Sequence, residues 1–523
     1  MTLSAPPREP TRTDRLLAAI GGLVAAYVSL AVADLVAARV RPEAAPVTAV
    51  GGAVVDRTPA VVKEWAIRVF GESDKTVLQL GILLLLGLLA AGIGLLALRH
   101  RAAGSAAVGA FGLLGALAAV TRPDSDSALD AVPSLVGAAA GAILLYVLTG
   151  RLLAPRPGAA TVDRRGFLIV AASAGLAATG AAALGRAVGS PVEENATASR
   201  EALRLPRPAS PAPPVPAGAQ LRVPGISPFL TPNRDFYRVD TALVVPKVDA
   251  GRWSLRLHGI GVREERVLTL PELTARRAVE RDITLACVSN EVGGPYVGNA
   301  RWLGVPLADL LREAGVRPPS EGGPADQLVA RSVDGMTIGT PVEDVMDGRD
   351  ALLAFGMNGE PLPFTHGFPV RMIVPGLYGY VSACKWIASI ELTTFDAYDA
   401  YWVPRGWAAR APVKTQSRID TPRPFARPAA GTVMIAGVAW AQHRGIARVE
   451  VRIDEGPWRD ARLAAEDSSD TWRQWTYPWT ADPGRYTLTV RATDGTGTTQ
   501  PEQRTGTMPD GAQGWHSVVV TVT

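Results

Sequence analysis

Apolar residues are distributed very unevenly along the 523-residue chain, and this limits the architectures open to it. Hydrophobic residues make up 47% of the sequence, and the N-terminal third holds long Ala, Leu, Val and Gly runs. Five segments there stay apolar over about 20 residues, the length that crosses a bilayer. They are 16–38, 77–98, 103–121, 132–150 and 167–188. The sequence therefore predicts a helical membrane domain over 1–190 and a water-soluble part beyond it.

Positive charges flank these predicted spans mainly on one side. The arginines concerned are Arg8, Arg12, Arg15, Arg99, Arg101, Arg151, Arg156, Arg164 and Arg165. By the positive-inside rule the N-terminus is cytoplasmic, and five crossings then put the soluble part outside the cell membrane. Basic residues in the loop 39–76 oppose this arrangement. Within that loop, 61–70 has the composition of a helix lying along the membrane interface.

Two further features of the membrane domain bear on its role. Arg164-Arg165-Gly166-Phe167-Leu168 matches the core of a twin-arginine export signal, although a plain positive flank has the same appearance. His100 is the only histidine in this domain, which also lacks cysteine. Because a membrane b-type haem needs paired axial ligands, we expect no haem in this chain. We interpret the helices as an anchor, a quinone-facing surface or a docking element for a partner.

The rest of the chain divides into three parts by composition. Residues 191–224 include a run of prolines, which predicts an extended linker. Residues 225–409 mix strand and helix patterns, such as the helical stretch 306–314, and indicate an α+β domain. Residues 410–523 contain strand patterns only, for example 445–453 and 486–492, and predict a small immunoglobulin-like β-sandwich. The formal charge of +4 and the absence of a basic block argue against nucleic-acid binding.

Cys287 is the first residue of chemical interest. It follows the apolar stretch Ile283–Ala286 and precedes polar and Gly residues, so it is predicted at the end of a strand, at the start of a loop. A buried cysteine acting as a small apolar residue has the same pattern. No second Cys or His lies near enough in sequence for a zinc site.

A later segment favours the functional interpretation. Asn358-Gly359-Glu360-Pro361-Leu362-Pro363 is followed by His366-Gly367-Phe368-Pro369-Val370-Arg371, then by Val374-Pro375-Gly376 and Lys385-Trp386. In order and spacing these motifs resemble the sulfite oxidase family of molybdopterin enzymes, over about 225–523. The resemblance implies a fold with a sulfite-oxidase-type molybdopterin domain and a C-terminal domain through which a homodimer forms.

The resemblance also implies roles for individual residues. Cys287 is the expected protein ligand to molybdenum and the catalytic residue, since soft thiolates suit this metal. The expected contacts to the molybdopterin cofactor are Tyr237, Arg238, Asp240, Thr241, Asp334, His366, Arg371, Ala383, Cys384 and Lys385. The alternatives are a β-bulge at His366-Gly367, a solvated surface at Arg371 and Lys385, and apolar packing for Cys384.

The sequence departs from the family where sulfite would bind. The family has two arginines shortly after the metal-binding cysteine, and here Glu291 and Val292 stand there; Val239 replaces a third, and Trp407 or Gly406 an active-site tyrosine. We therefore expect oxygen-atom transfer on a small S- or N-oxide type substrate. The alternatives are sulfite oxidation with a rearranged anion site, or a non-catalytic membrane-tethered binding or assembly protein. The expected electron partner is a quinone or a cytochrome.

Overall fold

The structure is a computed structural model that describes residues 11–59, 62, 65–66, 69–70, 74–122, 125, 127–153, 155–156, 159–162, 164–187 and 191–523. The chain forms two compact units. The first contains residues 1–194 and 241–245, and the second contains 195–240 and 246–523.

The first unit is helical. Its helices are α1 (Arg12–Val40), α2 (Pro46–Arg57), α3 (Asp74–Arg99), α4 (Arg101–Val120), α5 (Val132–Leu153) and α6 (Arg164–Ala187), with a small hairpin of β1 (Pro155–Arg156) and β2 (Ala159–Val162). Helix α1 begins at a capping box, in which the Thr11 side chain and the Asp14 carboxylate satisfy each other's backbone N–H groups. Near the far end of α1, Arg41 pairs with the buried Asp130 at 2.6 Å.

Within the described ranges, four helices are long and apolar enough to cross a membrane. They cover Arg12–Val40, Thr76–Arg99, Arg101–Val120 and Ala128–Leu153, so each of the first four predicted spans lies in a long apolar helix, and their crossing of a membrane stays a prediction. The fifth predicted span lies in α6, whose described apolar stretch covers Arg165–Gly180, and its crossing of the membrane stays a prediction. Helix α2 was not predicted. The proposed interfacial helix 61–70 falls largely outside the described residues, as do Arg8 and the side chain of Arg164.

The second unit contains two groups of sheets. Its first ten strands are β3 (Ser254–Gly259), β4 (Arg266–Thr269), β5 (Val279–Ala286), β6 (Val297–Pro306), β7 (Gln327–Ser332), β8 (Thr337–Pro341), β9 (Leu352–Met357), β10 (Glu360–Pro361), β11 (Arg371–Ile373) and β12 (Ile387–Thr393). One sheet has the order β10-β9-β6-β5, with β11 also paired to β9, and the other has the order β4-β3-β12-β7-β8. Strand β5 therefore lies at a sheet edge.

Short helices and turns connect these strands. The helices are α7 (Pro191–Ala202, which begins in the first unit), α8 (Leu270–Thr274), α9 (Leu307–Glu313), α10 (Val342–Met346) and α11 (Gly379–Ser382). Helix α9 confirms the helical prediction for 306–314. Strand β9 is buried along its whole length, and Asn358 and Gly359, both with positive φ, turn it into β10. Asn-Gly suits this two-residue hairpin because both positions need positive φ.

The C-terminal part is an all-β sandwich, as predicted. Its strands are β13 (Gln416–Thr421), β14 (Gly431–Trp440), β15 (Ile446–Ile453), β16 (Arg459–Asp460), β17 (Arg462–Leu463), β18 (Arg473–Ala481), β19 (Gly484–Asp494) and β20 (His516–Val522). They form two sheets, β13-β14-β18-β17 and β16-β15-β19-β20. Trp475 and Leu488 belong to the sandwich core, whereas Trp440 and Trp472 join the core of the preceding α+β part.

The segment 191–224, predicted as an extended linker, begins with a helix in the structure. Residues Pro191–Ala202 are helical, and the proline-rich stretch after them lies against the α+β part. The Ala209 N–H donates to the Ala278 carbonyl at 2.8 Å, and Ser210 bridges Val279 in parallel. Ala219 is fully buried in the same core. Prolines favour extended backbone, but they leave enough N–H and C=O groups to pair with an open strand edge.

Candidate active site

Cys287 directly follows β5 and opens a tight loop that returns into β6. The Cys287 N–H donates to the Tyr296 carbonyl at 2.9 Å, and the Asn290 N–H donates to the Cys287 carbonyl at 3.1 Å. The Asn290 side-chain oxygen accepts from the Tyr296 N–H at 2.8 Å. These bonds close the loop at both ends, so the backbone fixes the position of the thiol.

The Cys287 thiol is buried and forms no disulfide. Burial raises its pKa, while hydrogen bonds from Ser289 and the charge of Lys385 act in the opposite direction. A buried thiol of this kind stays protonated at neutral pH until a bound cation stabilises the thiolate. Cys287 is therefore better suited to ligate a soft metal than to act as a free nucleophile.

Tyr237 lies close to this thiol. Its ring stacks on Phe236 with 5.2 Å between centroids. Its hydroxyl is 4.0 Å from the point where a β-carbon on Gly379 would lie, and the Ala286 carbonyl is 3.7 Å from that point. Burial raises the pKa of Tyr237, and the neighbouring Cys287 adds to this effect, so the hydroxyl stays protonated. The 236–237 segment, the end of β5 and the start of α11 therefore meet here.

Asp240 joins two basic residues that are distant in sequence. Its Oδ2 atom accepts from Lys385 Nζ at 2.7 Å and from Arg238 Nε at 2.9 Å. The Asp240 side chain is only 5% exposed, so water screens these charges weakly. Lys385 also donates to the Thr365 carbonyl at 3.3 Å. The structure thus brings together three of the predicted cofactor contacts, and Lys385 is buried rather than solvated.

His366 ends a short 3₁₀ turn, Phe364–His366, and not the alternative β-bulge. Its Nε2 atom lies 3.0 Å from the Asn233 carbonyl and therefore holds the proton of the neutral ring. Burial lowers the pKa of His366 to about 4, and the charges of Arg371 and Lys385 add to this shift. Gly367 has a φ of 107°, and a β-carbon there would lie 3.0 Å from the Lys385 backbone and 3.1 Å from Arg371. Glycine allows these three residues to approach one another.

Arg371 is a buried guanidinium without a carboxylate partner among the described residues. It is 4% exposed, and Nη1 donates to the His366 carbonyl at 3.2 Å. The group also lies 5.1 Å from the Trp302 ring centroid, while its buried Nε atom has no hydrogen-bond partner. Burial lowers the pKa of Arg371 to about 10, so it is charged at neutral pH. A buried unpaired cation is costly, which points to an anion supplied by a ligand.

The remaining predicted contacts are Ala383, Cys384, Asp334 and Thr241. The Ala383 N–H donates to the Gly379 carbonyl at 2.9 Å and closes α11. Cys384 is fully buried, and burial raises the pKa of its thiol, which fits the alternative of apolar packing for its side chain. Asp334 occupies a turn in which its carboxylate accepts from the Met336 N–H at 3.3 Å. Thr241 directly follows Asp240 and falls in the 241–245 segment that is grouped with the first unit, and its contact with the cofactor stays a prediction.

Two site residues were missed from the sequence. Asn233 receives the His366 hydrogen bond, and Trp302 on β6 lies under Arg371. Neither lies in a motif, and each meets a partner that is distant in sequence. Asn290 is a third residue of the site, and it could have been found from the sequence because it lies only three residues after Cys287. It is 3% exposed, and its side-chain nitrogen is buried without a hydrogen-bond partner.

The positions that depart from the sulfite oxidase pattern differ in exposure. Glu291 is exposed, and Val239 and Val292 are half-buried. Trp407 is 5% exposed, with its indole nitrogen buried and lacking a hydrogen-bond partner. Its ring lies 5.6 Å from that of Tyr380, which follows Gly379. Trp407 therefore lies beside α11. This location is compatible with the prediction that Trp407 replaces an active-site tyrosine.

Residues 242–402 match the family described as oxidoreductase molybdopterin binding domain. The chain is 30% identical to mitochondrial sulfite oxidase of Mus musculus over 288 residues, covering 47% of this chain and 52% of that protein. It is 31% identical to sulfite oxidase of Gallus gallus, covering 48% and 62%. The chain thus spans about half the length of the first of these relatives. The solved sulfane dehydrogenase SoxCD from Paracoccus pantotrophus is 26% identical over 53% of this chain and 75% of that chain, with a TM-score of 0.47.

These matches define the class of the chain as a molybdopterin-dependent oxidoreductase. Within that class it is similar to the sulfite oxidases over about half of its length, and its implied cofactor is molybdopterin with molybdenum. The site fits that group. A pterin phosphate would supply the anion that Arg371 lacks, since a guanidinium fork can bond two phosphate oxygens. Neutral His366 and protonated Lys385 add donors beside it, and the Cys287 thiol suits molybdenum.

Proposed function

We propose that this chain transfers an oxygen atom to or from a small, neutral substrate of the S- or N-oxide type. The observation that supports this most is that one site holds both the loop thiol of Cys287 and the buried guanidinium of Arg371, which has no carboxylate partner among the described residues. When bound, the molybdenum–pterin group supplies the two-electron redox chemistry that oxygen-atom transfer needs. The chain binds the group, orients it and shapes the substrate pocket.

We assign the residues in this way. Cys287 is the protein ligand to the metal. Arg371 and His366 bind the phosphate end of the pterin. Lys385 is oriented by Asp240 and adds a further donor, and Arg238 bonds the same carboxylate. The hydroxyl of Tyr237 stays protonated near Cys287, so it can donate a hydrogen bond there but cannot act as a base at neutral pH.

The preference for a neutral substrate rests on charge. A dianion such as sulfite needs cations that face it, and each guanidinium beside an oxyanion contributes roughly 1.5–3 kcal/mol. Val239 and Val292 are half-buried where the family has arginines, and Glu291 adds a negative charge to the same loop. Removing two or three such contacts weakens capture by orders of magnitude, because about 1.4 kcal/mol is tenfold.

The test compares substrates on the purified full-length chain in detergent, with an artificial electron carrier. We expect dimethyl sulfoxide or an amine N-oxide to give a kcat/KM about tenfold or more above that of sulfite. Val292→Arg should raise kcat/KM for sulfite by about tenfold and make it sensitive to salt. The matched control is Val267→Arg, at a valine of β4 that is 58% exposed. This change should alter neither the kcat/KM for sulfite nor its sensitivity to salt. Efficient sulfite oxidation by the unmodified chain at micromolar concentrations would contradict the neutral-substrate proposal.

Sulfite oxidation is the second candidate. It is favoured by the relatives that are named sulfite oxidases, of which the chain matches about half the length or somewhat more. Arg238 and Arg405 are the arginines that could compensate for the missing ones. The experiment above decides between the two substrates.

We also propose that the soluble part lies outside the cytoplasm, on a multi-pass membrane anchor, and receives or delivers electrons through a quinone or a cytochrome. Four apolar helices of membrane-spanning length support the anchor. The sidedness depends on the fifth crossing through α6 and on the flanking arginines. We further propose domain limits of 225–409 and 410–523, with a homodimer formed through the second of these.

Sidedness has its own test. The double change Arg164→Lys and Arg165→Lys keeps the positive flank but removes the twin-arginine pair. We expect it to leave a periplasmic reporter, fused after the last residue, without activity, because the folded soluble part is then retained in the cytoplasm. The matched control, Arg151→Lys with Arg156→Lys, should leave export normal. Normal export of the Arg164 and Arg165 variant would show that these residues are only a charged flank.

A further inference from the structure

Strand β5, which ends directly before Cys287, is an edge strand of its sheet. Only one of its two sides pairs with a neighbouring strand of that sheet, so the other side is available to other parts of the chain. The start of that edge is covered by Ser210, whose carbonyl accepts from the Glu280 N–H at 2.9 Å. The end nearer Cys287 is covered by the β-sandwich. An edge strand is a weak support for a metal ligand unless something else pairs with it.

Thr284 lies three residues before Cys287. Its N–H, its carbonyl and its hydroxyl each form a hydrogen bond with a residue of the sandwich. Its N–H donates to the Asp470 carbonyl at 2.9 Å, and its carbonyl accepts from Gln442 Nε2 at 3.0 Å. Its hydroxyl oxygen accepts from the Trp472 N–H at 2.7 Å and donates to Asn299 at 3.0 Å. Thr284 is 2% exposed, so these bonds form away from water.

The loop after Cys287 is held by two other sandwich residues. Arg418 on β13 donates from Nη1 to the Gly294 carbonyl at 2.7 Å. Its Nε atom donates to the Asp420 carboxylate at 2.7 Å, and its Nη2 atom donates to the Ser227 hydroxyl at 2.9 Å. This guanidinium is 12% exposed at its side chain. It therefore has one orientation, in which it binds the loop that contains Cys287.

His516, the first residue of β20, packs against the same loop. Its Nδ1 atom accepts from the Ile419 N–H at 3.0 Å, so the ring is neutral with its proton on Nε2. Gly293, with a φ of 79°, lies so close that a β-carbon there would overlap the His516 ring. The loop and the sandwich thus fit without space for even a methyl group.

We propose that the β-sandwich positions the metal-binding cysteine, through Arg418 and His516 on the loop after Cys287 and through Gln442, Asp470 and Trp472 on the strand before it. Arg418 and His516 are positioning residues, since they act on Cys287 through the backbone of Gly293 and Gly294. The proposal rests on the proposed function only for the identity of Cys287 as the ligand. It gives the C-terminal domain a role in the active site of its own chain.

The test is hydrogen–deuterium exchange of the full-length chain in detergent, followed on the peptide 285–297. Arg418→Gln should speed exchange of the Cys287, Gly294 and Tyr296 amides about tenfold, because a buried charge-assisted bond is lost. Exchange of β7 should stay unchanged. In protein loaded with molybdenum, the Mo(V) electron paramagnetic resonance signal should shift at unchanged metal content. The matched control is Arg491→Gln, which removes the Arg491–Glu450 ion pair of 2.8 Å in the same domain, and it should change neither readout.

Two outcomes would overturn the proposal. One is unchanged protection of 285–297 in Arg418→Gln, and the other is equal acceleration throughout the second unit, which indicates general destabilisation. If that variant does not fold, Gly293→Ala is measured alone and together with His516→Ala. We expect the effect of Gly293→Ala on exchange to fall to less than half once the His516 ring is absent, whereas additive effects would contradict the contact. A chain that binds no molybdenum would refute the proposed function, while the exchange result would still decide the role of the sandwich.

Discussion

Cys287→Ser should reduce turnover to background while the chain keeps its fold. Serine is close to cysteine in size, and the loop around it is closed by backbone hydrogen bonds from Cys287 and Asn290 that do not involve the thiol. Loss of outer partners of a metal ligand typically costs about 10–100-fold in metal affinity or activity, and loss of the ligand itself should exceed this. Steady-state turnover and circular dichroism of the purified variant measure the two parts of the prediction.

Cys384→Ser is the matched control for this change. Cys384 is fully buried, and we propose that its side chain only packs beside the cofactor-binding stretch. We therefore expect some loss of stability with turnover within about a few-fold of the unmodified chain, as is usual for a buried polar substitution. A Cys287→Ser variant with unmodified turnover, or equal loss of turnover in both variants, would refute the assignment of Cys287.

Arg371→Met should have opposite effects on the two forms of the protein. Without cofactor, the buried guanidinium has no carboxylate partner among the described residues, and burial lowers its pKa from the ordinary arginine value to about 10. Because one pKa unit corresponds to about 1.4 kcal/mol, removing the charge should stabilise the cofactor-free chain by roughly 3 kcal/mol at neutral pH. This cost is full below pH about 10, where Arg371 is protonated in the folded chain, and it shrinks progressively as the pH rises from there towards the ordinary pKa of arginine. With cofactor, the same change removes the guanidinium that we propose binds the pterin phosphate. It should therefore weaken binding of the cofactor by about tenfold or more.

Thermal unfolding of both forms, with the pterin content of each, tests this prediction. Arg301→Met is the matched control, because Arg301 pairs with the buried Asp282 at 2.7 Å. Its removal leaves an unpaired buried carboxylate and should destabilise both forms. Arg371→Met that destabilises the cofactor-free chain as well would show that the guanidinium has a structural partner in the protein itself.

The parts of the fold that could be predicted from the sequence are those with a local signal. Apolar length is enough to locate the first four long apolar helices, and strand alternation locates β15 and β19 in the sandwich. The position of Cys287 at the end of β5 follows from an apolar run that meets polar residues and glycine. Helix α2 lacked such a signal, because its glycines and short length resemble a loop.

The parts that could not be predicted depend on contacts between distant residues. Proline content predicts an extended conformation for the linker, but not that Ser210 pairs with the edge of β5. A sequence motif predicts that Arg371 belongs to the site. Only the fold shows that Arg371 is buried against Trp302 and that one of its nitrogens has no hydrogen-bond partner. The bond from Arg418 to the loop after Cys287 joins residues 124 positions apart. No local pattern contains that information.

The central claim is that the chain binds one molybdenum–pterin group through Cys287. Its most direct test is elemental analysis of the full-length chain purified from a host that makes the cofactor, together with fluorescence of the released pterin. We predict about one molybdenum and one pterin per chain, and a marked loss of molybdenum in Cys287→Ser with the pterin largely retained through Arg371, His366 and Lys385. An unmodified chain that contains neither molybdenum nor pterin, although it is folded and produced in such a host, would contradict the claim.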